Sequence, residues 1–76
     1  MKADVDYEGD RILAVKITGD FFIHPEDALE RVEAALKGAA AGDVGGIISF
    51  ELADAKLYGV DAKSMANVVL EAIDGV

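Results

Sequence analysis

Residues 2–8 alternate strictly between two kinds of side chain. Ala3, Val5 and Tyr7 fall on one side; Lys2, Asp4, Asp6 and Glu8 fall on the other. A period of two marks a strand with one face packed and one in water. Gly9-Asp10 suits a two-residue hairpin turn, because glycine accepts the positive φ of the tight turns. Residues 11–18 form the return strand, with Leu13, Val15 and Ile17 on one face. Ile12 and Ala14 on its other face predict that this strand is the more buried of the two.

The period then changes. After the break at Thr18-Gly19-Asp20-Phe21-Phe22, His24-Pro25-Glu26-Asp27 reads as a helix start. Proline suits the first helical position, and an acidic first turn complements the helix dipole. Leu29, Val32 and Leu36 mark the inner face, widened by Ala28 and Ala35, and Gly38 is the stop. Asp27/Arg31 and Glu33/Lys37 are spaced as i,i+4 pairs on the outer face.

Residues 38–46 are small and carry no period. Residues 47–52 fit a short helix or a third strand equally, since six residues are too few to decide. Asp61 is a good N-cap with Ser64 three residues on, and a helix over residues 62–74 follows. Its polar residues Lys63, Asn67, Glu71 and Asp74 form one narrow stripe, and apolar residues occupy the rest. A helix packed on its own small domain needs an apolar arc of a little over 100°. The wide arc therefore predicts either a helix sunk between the hairpin and the first helix or a flank that docks on another chain.

Seventy-six residues make one domain, spanning residues 1–76. Apolar residues are 53% of the chain, which excludes disorder. Fifteen acidic and seven basic side chains give a net charge of −8. Nucleic acid and anionic membranes are poor partners for such a chain, because both require clustered Lys and Arg. The acidic excess is even: residues 1–38 hold 5 basic and 9 acidic side chains, residues 39–76 hold 2 and 6. Spread in this way, it serves solubility and the choice of a complementary basic surface. There is no cysteine, so thiol chemistry and cysteine-held metal sites are absent. The charged start Lys2-Ala3-Asp4-Val5-Asp6 is not a signal peptide, and no apolar run approaches the ~20 residues of a spanning helix. A cytoplasmic, soluble protein is expected.

Candidate chemistry is sparse. His24 is the single histidine, and Ser49 and Ser64 are the only serines, neither of them in a Gly-x-Ser-x-Gly elbow. Metal-ligand spacing is absent. The glycines of 38–46 do not make a phosphate loop, since no lysine lies between Lys37 and Lys56. A small acidic chain invites comparison with acyl carrier proteins. However, Ser64 lies in Ala62-Lys63-Ser64-Met65 rather than Asp-Ser-Leu, and an opening β-hairpin does not suit an all-helical carrier.

One stretch is more specific. Ile12 to Phe22, running from strand into Gly19-Asp20-Phe21-Phe22 and then a helix ending at Gly38, resembles the C-terminal domain of lipoate–protein ligases. Leu57-Tyr58-Gly59-Val60-Asp61 ahead of a final helix is similar to the end of that domain. The likeness covers about two thirds of the chain. It implies an α+β fold, an N-terminal β-hairpin with two or three helices, related to iron–sulfur scaffold proteins. It also implies a separately encoded small subunit, as in the archaeal-type bipartite ligases, with no catalytic residue of its own. The large subunit would hold lipoate, ATP and magnesium and form lipoyl-AMP, and lipoyl-domain proteins would be the eventual acceptors. Gly19, Asp20, Phe21, Phe22, His24, Tyr58 and Gly59 are the expected partner-interface residues. Being adjacent, Phe21 and Phe22 should point opposite ways, one into the core and one toward the partner. The alternatives are an acidic interaction domain serving another enzyme and, more remotely, a carrier.

Overall fold

The computed structural model describes residues 1–74. The opening hairpin pairs β1 (Lys2–Glu8) with β2 (Arg11–Thr18), antiparallel, through a turn at Gly9-Asp10 in which Gly9 has φ 65°. Glu8 faces Arg11 and Lys2 faces Thr18 at the two ends of the ladder. Between them the register shifts: Tyr7 pairs with Ile12 but Asp6 with Ala14, so Leu13 is an extra residue in β2. A single inserted residue exchanges the faces of a strand. Ile12 is therefore fully buried in the same core as Val15 and Ile17, whereas Leu13, expected on that face, is 47% exposed.

β2 also has its outer edge closed. The Ile12 N–H donates to the Ala39 carbonyl at 2.9 Å, and the Gly38 N–H donates to the Ile12 carbonyl at 2.7 Å. Further along, the Ile17 N–H donates to Glu33 Oε2 at 2.7 Å. Glu33 thus satisfies a strand edge instead of pairing with Lys37. Neither expected helix-surface pair forms; the ion pairs among the described residues are Lys2–Asp4 and Arg11–Asp10, both largely exposed. Occupying the edge with a helix side chain and a crossing segment blocks pairing with foreign strands.

The first helix, α1 (Ala28–Leu36), starts later than the His24-Pro25 signal implies. Residues 22–24 extend instead as β3 (Phe22–His24), and a turn through 25–27 precedes the helix, with the Ala28 N–H donating to the Pro25 carbonyl at 3.0 Å. Ala28, Val32 and Leu36, spaced four apart, are all fully buried, and Gly38 closes the helix with φ 87°.

A 3-10 turn at Ala41–Asp43 leads into α2 (Val44–Glu51), so the 47–52 segment is helix, not strand. Val44, Ile48 and Leu52 supply its inner stripe. The additional strands lie elsewhere, as β3 and β4 (Lys56–Tyr58), which form a second two-stranded ribbon. α3 (Ala62–Asp74) matches the expected span, and Asp61 Oδ1 accepts from the Ser64 N–H at 2.7 Å. Its buried residues are Met65, Ala66, Val69 and Ile73. α3 packs on β1 and α2, while α1 lies on β2 and α2. The last helix is therefore sunk into its own domain, against α2 rather than α1, with Val68, Leu70 and Ala72 half-buried on its flanks.

The result is an α+β fold with one apolar core. Among the described residues no buried side chain is polar or charged. Ile12, Leu36, Ile48, Met65, Val32, Val44 and Val69 are all fully enclosed, each stabilising by about 1.5–3 kcal/mol relative to exposure.

Candidate functional site

The β3–β4 ribbon brings together the two segments that carry the family likeness. They lie far apart in sequence, yet Phe22 pairs with Tyr58, Ile23 with Leu57 and His24 with Lys56. Two glycines make the junction possible. A Cβ on Gly59 would stand 3.3 Å from the Asp20 carbonyl oxygen and 3.7 Å from the Phe21 Cα, and Gly59 has φ 79°, where side chains are strained. A Cβ on Gly19 would stand 2.9 Å from the Met1 Cα and 3.1 Å from the Phe21 ring. Backbone therefore passes backbone where only glycine leaves room.

Alternation then sorts the ribbon's side chains. Ile23 is buried and Leu57 half-buried, and both pack on the common core. Phe21, ahead of the strand, is also half-buried against that core. On the outer face Phe22 is 78% exposed and its partner Tyr58 is 61% exposed. His24 and Lys56, the next pair, are exposed on the same face. These four, with Ile23 and Glu26, line a shallow groove of about 580 Å³. The two phenylalanines thus divide as the sequence implies, Phe21 toward the core and Phe22 into solvent.

Of the seven expected interface residues, Phe22, His24 and Tyr58 share the outer face. Gly19, Phe21 and Gly59 form the packed junction behind it, and Asp20 is exposed at that junction. Sequence reasoning missed Lys56. Its signal was available only through pairing with His24, since nothing local marks a lone lysine as part of a surface. Phe50 was missed as well; it stands 81% exposed on α2, outside the ribbon.

His24 makes no side-chain hydrogen bond among the described residues, so nothing orients it as a general base. Among the described residues no three His, Asp or Glu side chains gather as a metal site. Hydrogen bonds from the Ser64 backbone and side chain hold the Asp61 carboxyl below the usual aspartate range, which is the signature of a helix cap. A second groove of about 530 Å³ is lined by Arg11, Lys37, Asp43 and the small residues between 35 and 46, and Arg11 there donates to the Gly38 carbonyl at 3.4 Å. No helix among the described residues is long and apolar enough to cross a membrane.

No protein-family model matches the chain. A curated relative does: lipoate-protein ligase A subunit 2 of Thermoplasma acidophilum is 38% identical over 48 residues, which are 63% of this chain and 51% of the relative. The matched part spans about half the length of that protein. Among solved structures, a chain from a bi-partite lipoate protein ligase and its E2 lipoyl domain, an archaeal lipoylation system of the same organism, superposes with a TM-score of 0.82. That match has 29% identity and covers 88% of this chain and 77% of the other. In sequence this chain is therefore similar to a ligase second subunit, and in fold to a chain of an archaeal lipoylation system that comprises a bi-partite lipoate protein ligase and its E2 lipoyl domain.

Proposed function

We propose that this chain is the small, non-catalytic subunit of a two-chain lipoate–protein ligase. It binds the large catalytic subunit and enables that subunit to convert lipoate and ATP into lipoyl-AMP, ahead of lipoyl transfer to lipoyl domains. Lipoate, ATP and magnesium are held by the large subunit, and this chain alone binds none of them. The observation that carries the reading is the fold match across nearly nine tenths of the chain to a chain of a bi-partite ligase and lipoyl-domain system, taken with the sequence match to a ligase subunit 2. The meeting of Gly19–Phe22 with Tyr58–Gly59 in one ribbon supports it, because the segments that carry the likeness then form a single structural unit.

An accessory subunit without reacting groups can act only through differential binding. It accelerates adenylation by binding more tightly to the large subunit's reactive conformation than to its resting one. The rate of lipoyl-AMP formation by the large subunit, measured with and without this chain, tests the reading. A marked rise on addition is expected; equal rates would contradict it.

A further inference from the structure

We infer that the outer face of the β3–β4 ribbon is the surface that docks on the large subunit, and that it meets an apolar recess bordered by a carboxylate. The inference rests on the small-subunit reading above and adds where the contact lies and what chemistry it requires of the partner.

Phe22 and Tyr58 are directly paired, so both rings stand on one face, 78% and 61% exposed. Two neighbouring exposed aromatics are a large apolar patch for an 8.0 kDa protein whose other exposed large hydrophobics, Met1, Leu13 and Phe50, belong to neither strand of the ribbon. Rigid aromatic anchors supply much of the energy of protein interfaces. The backbone that carries both rings is anchored, because Ile23 and Leu57 tie the ribbon's inner face to the core.

The charge on this face departs from that of the molecule. The chain as a whole carries −8, yet the groove beside the two rings holds one cation, Lys56, and one acid, Glu26, with His24 paired to Lys56, so the acidic excess is missing here. The hairpin's exposed face, by contrast, presents Asp4, Asp6 and Glu8. A partner selected by overall charge would be basic. A partner that seats this ribbon instead places a carboxylate beside an apolar recess, opposite Lys56. Complementary charges of this kind fix register and speed association.

Calorimetric titration of the purified large subunit with the intact chain and its variants tests this. Absence of any wild-type complex would overturn the small-subunit reading itself. Where the wild type binds, Phe22→Ala with Tyr58→Ala is expected to weaken binding about 30-fold or more, the loss of a hot spot. Lys56→Glu, a fully surface change, is expected to weaken it about 3- to 10-fold at low salt and less at high salt. Phe50→Ala is expected to bind as wild type. Wild-type affinity for the double variant, or an equal loss on Phe50→Ala, would overturn the ribbon as the docking face. Unchanged or tighter binding by Lys56→Glu would overturn the acidic border. Circular dichroism of each variant separates lost binding from lost fold, and Lys56→Glu decides the charge argument independently of the aromatics.

Discussion

The described residues form two antiparallel ribbons that feed the same core and treat water differently. The hairpin β1–β2 is long, and its outward face is charged: Lys2, Asp4, Asp6 and Glu8 on one strand and Lys16 on the other. The ribbon β3–β4 has three residues in each strand, and its outward face carries Phe22 and Tyr58. Strands of three residues add little stability of their own, and rings left in water add none. The hairpin therefore reads as the part that builds the domain. The short ribbon reads as a part presented by the domain.

That contrast can be broken from either side, beginning with the largest effect. Ile12→Ala removes a fully buried side chain at the hairpin bulge and is expected to cost about 2–5 kcal/mol, read as a lower urea midpoint. Gly59→Val places a branched side chain at φ 79° against the Asp20 carbonyl and is expected to cost about 1–2 kcal/mol, with Gly59→Asn milder because asparagine visits that region. Phe22→Ala with Tyr58→Ala should cost no more than about 1 kcal/mol of stability, the scale of one lost cross-strand aromatic pair, while weakening binding to the large subunit about 30-fold or more. Equal effects of these substitutions on stability would erase the distinction between a building ribbon and a presented one.

Smaller effects sharpen it further. The Asp61 carboxyl titrates below its ordinary value because the folded state donates hydrogen bonds to the charged form. A group depressed in this way contributes stability above the ordinary aspartate range, and the contribution is lost as pH falls through the lower folded value. Asp61→Ala should therefore lower Tm at neutral pH and narrow its gap to wild type in acid. Asp4→Asn with Asp6→Asn, on the solvated face of the hairpin, should change neither Tm nor affinity measurably.

The elements that could be read from sequence are those with a long, uninterrupted period. β1, the Gly9-Asp10 turn and α3 with its Asp61 cap fall where alternation and capping place them. The face of β2 did not, because a bulge at Leu13 is set by pairing with β1 and leaves no mark on β2 itself. Pro25 misled for a related reason. Its helix signal is local, while pairing of Phe22–His24 with Lys56–Tyr58 draws the preceding residues into a strand. Glu33 looked like half of a surface ion pair, and only the fold brings the Ile17 N–H within 2.7 Å of it. The candidate site divides in the same way. Its aromatics and glycines stood out as a motif, but Lys56 joins them only through the ribbon's register.

The aromatic ribbon of this chain is proposed to switch on adenylation in a partner. Lipoyl-AMP formation by the large subunit should be measured alone, with the wild-type chain, and with the Phe22→Ala, Tyr58→Ala variant, at the wild-type chain's half-saturating concentration, where a complex weakened about 30-fold is only about 3% formed. The account predicts strong stimulation by the wild type and little by the variant. Equal rates in all three reactions would contradict it.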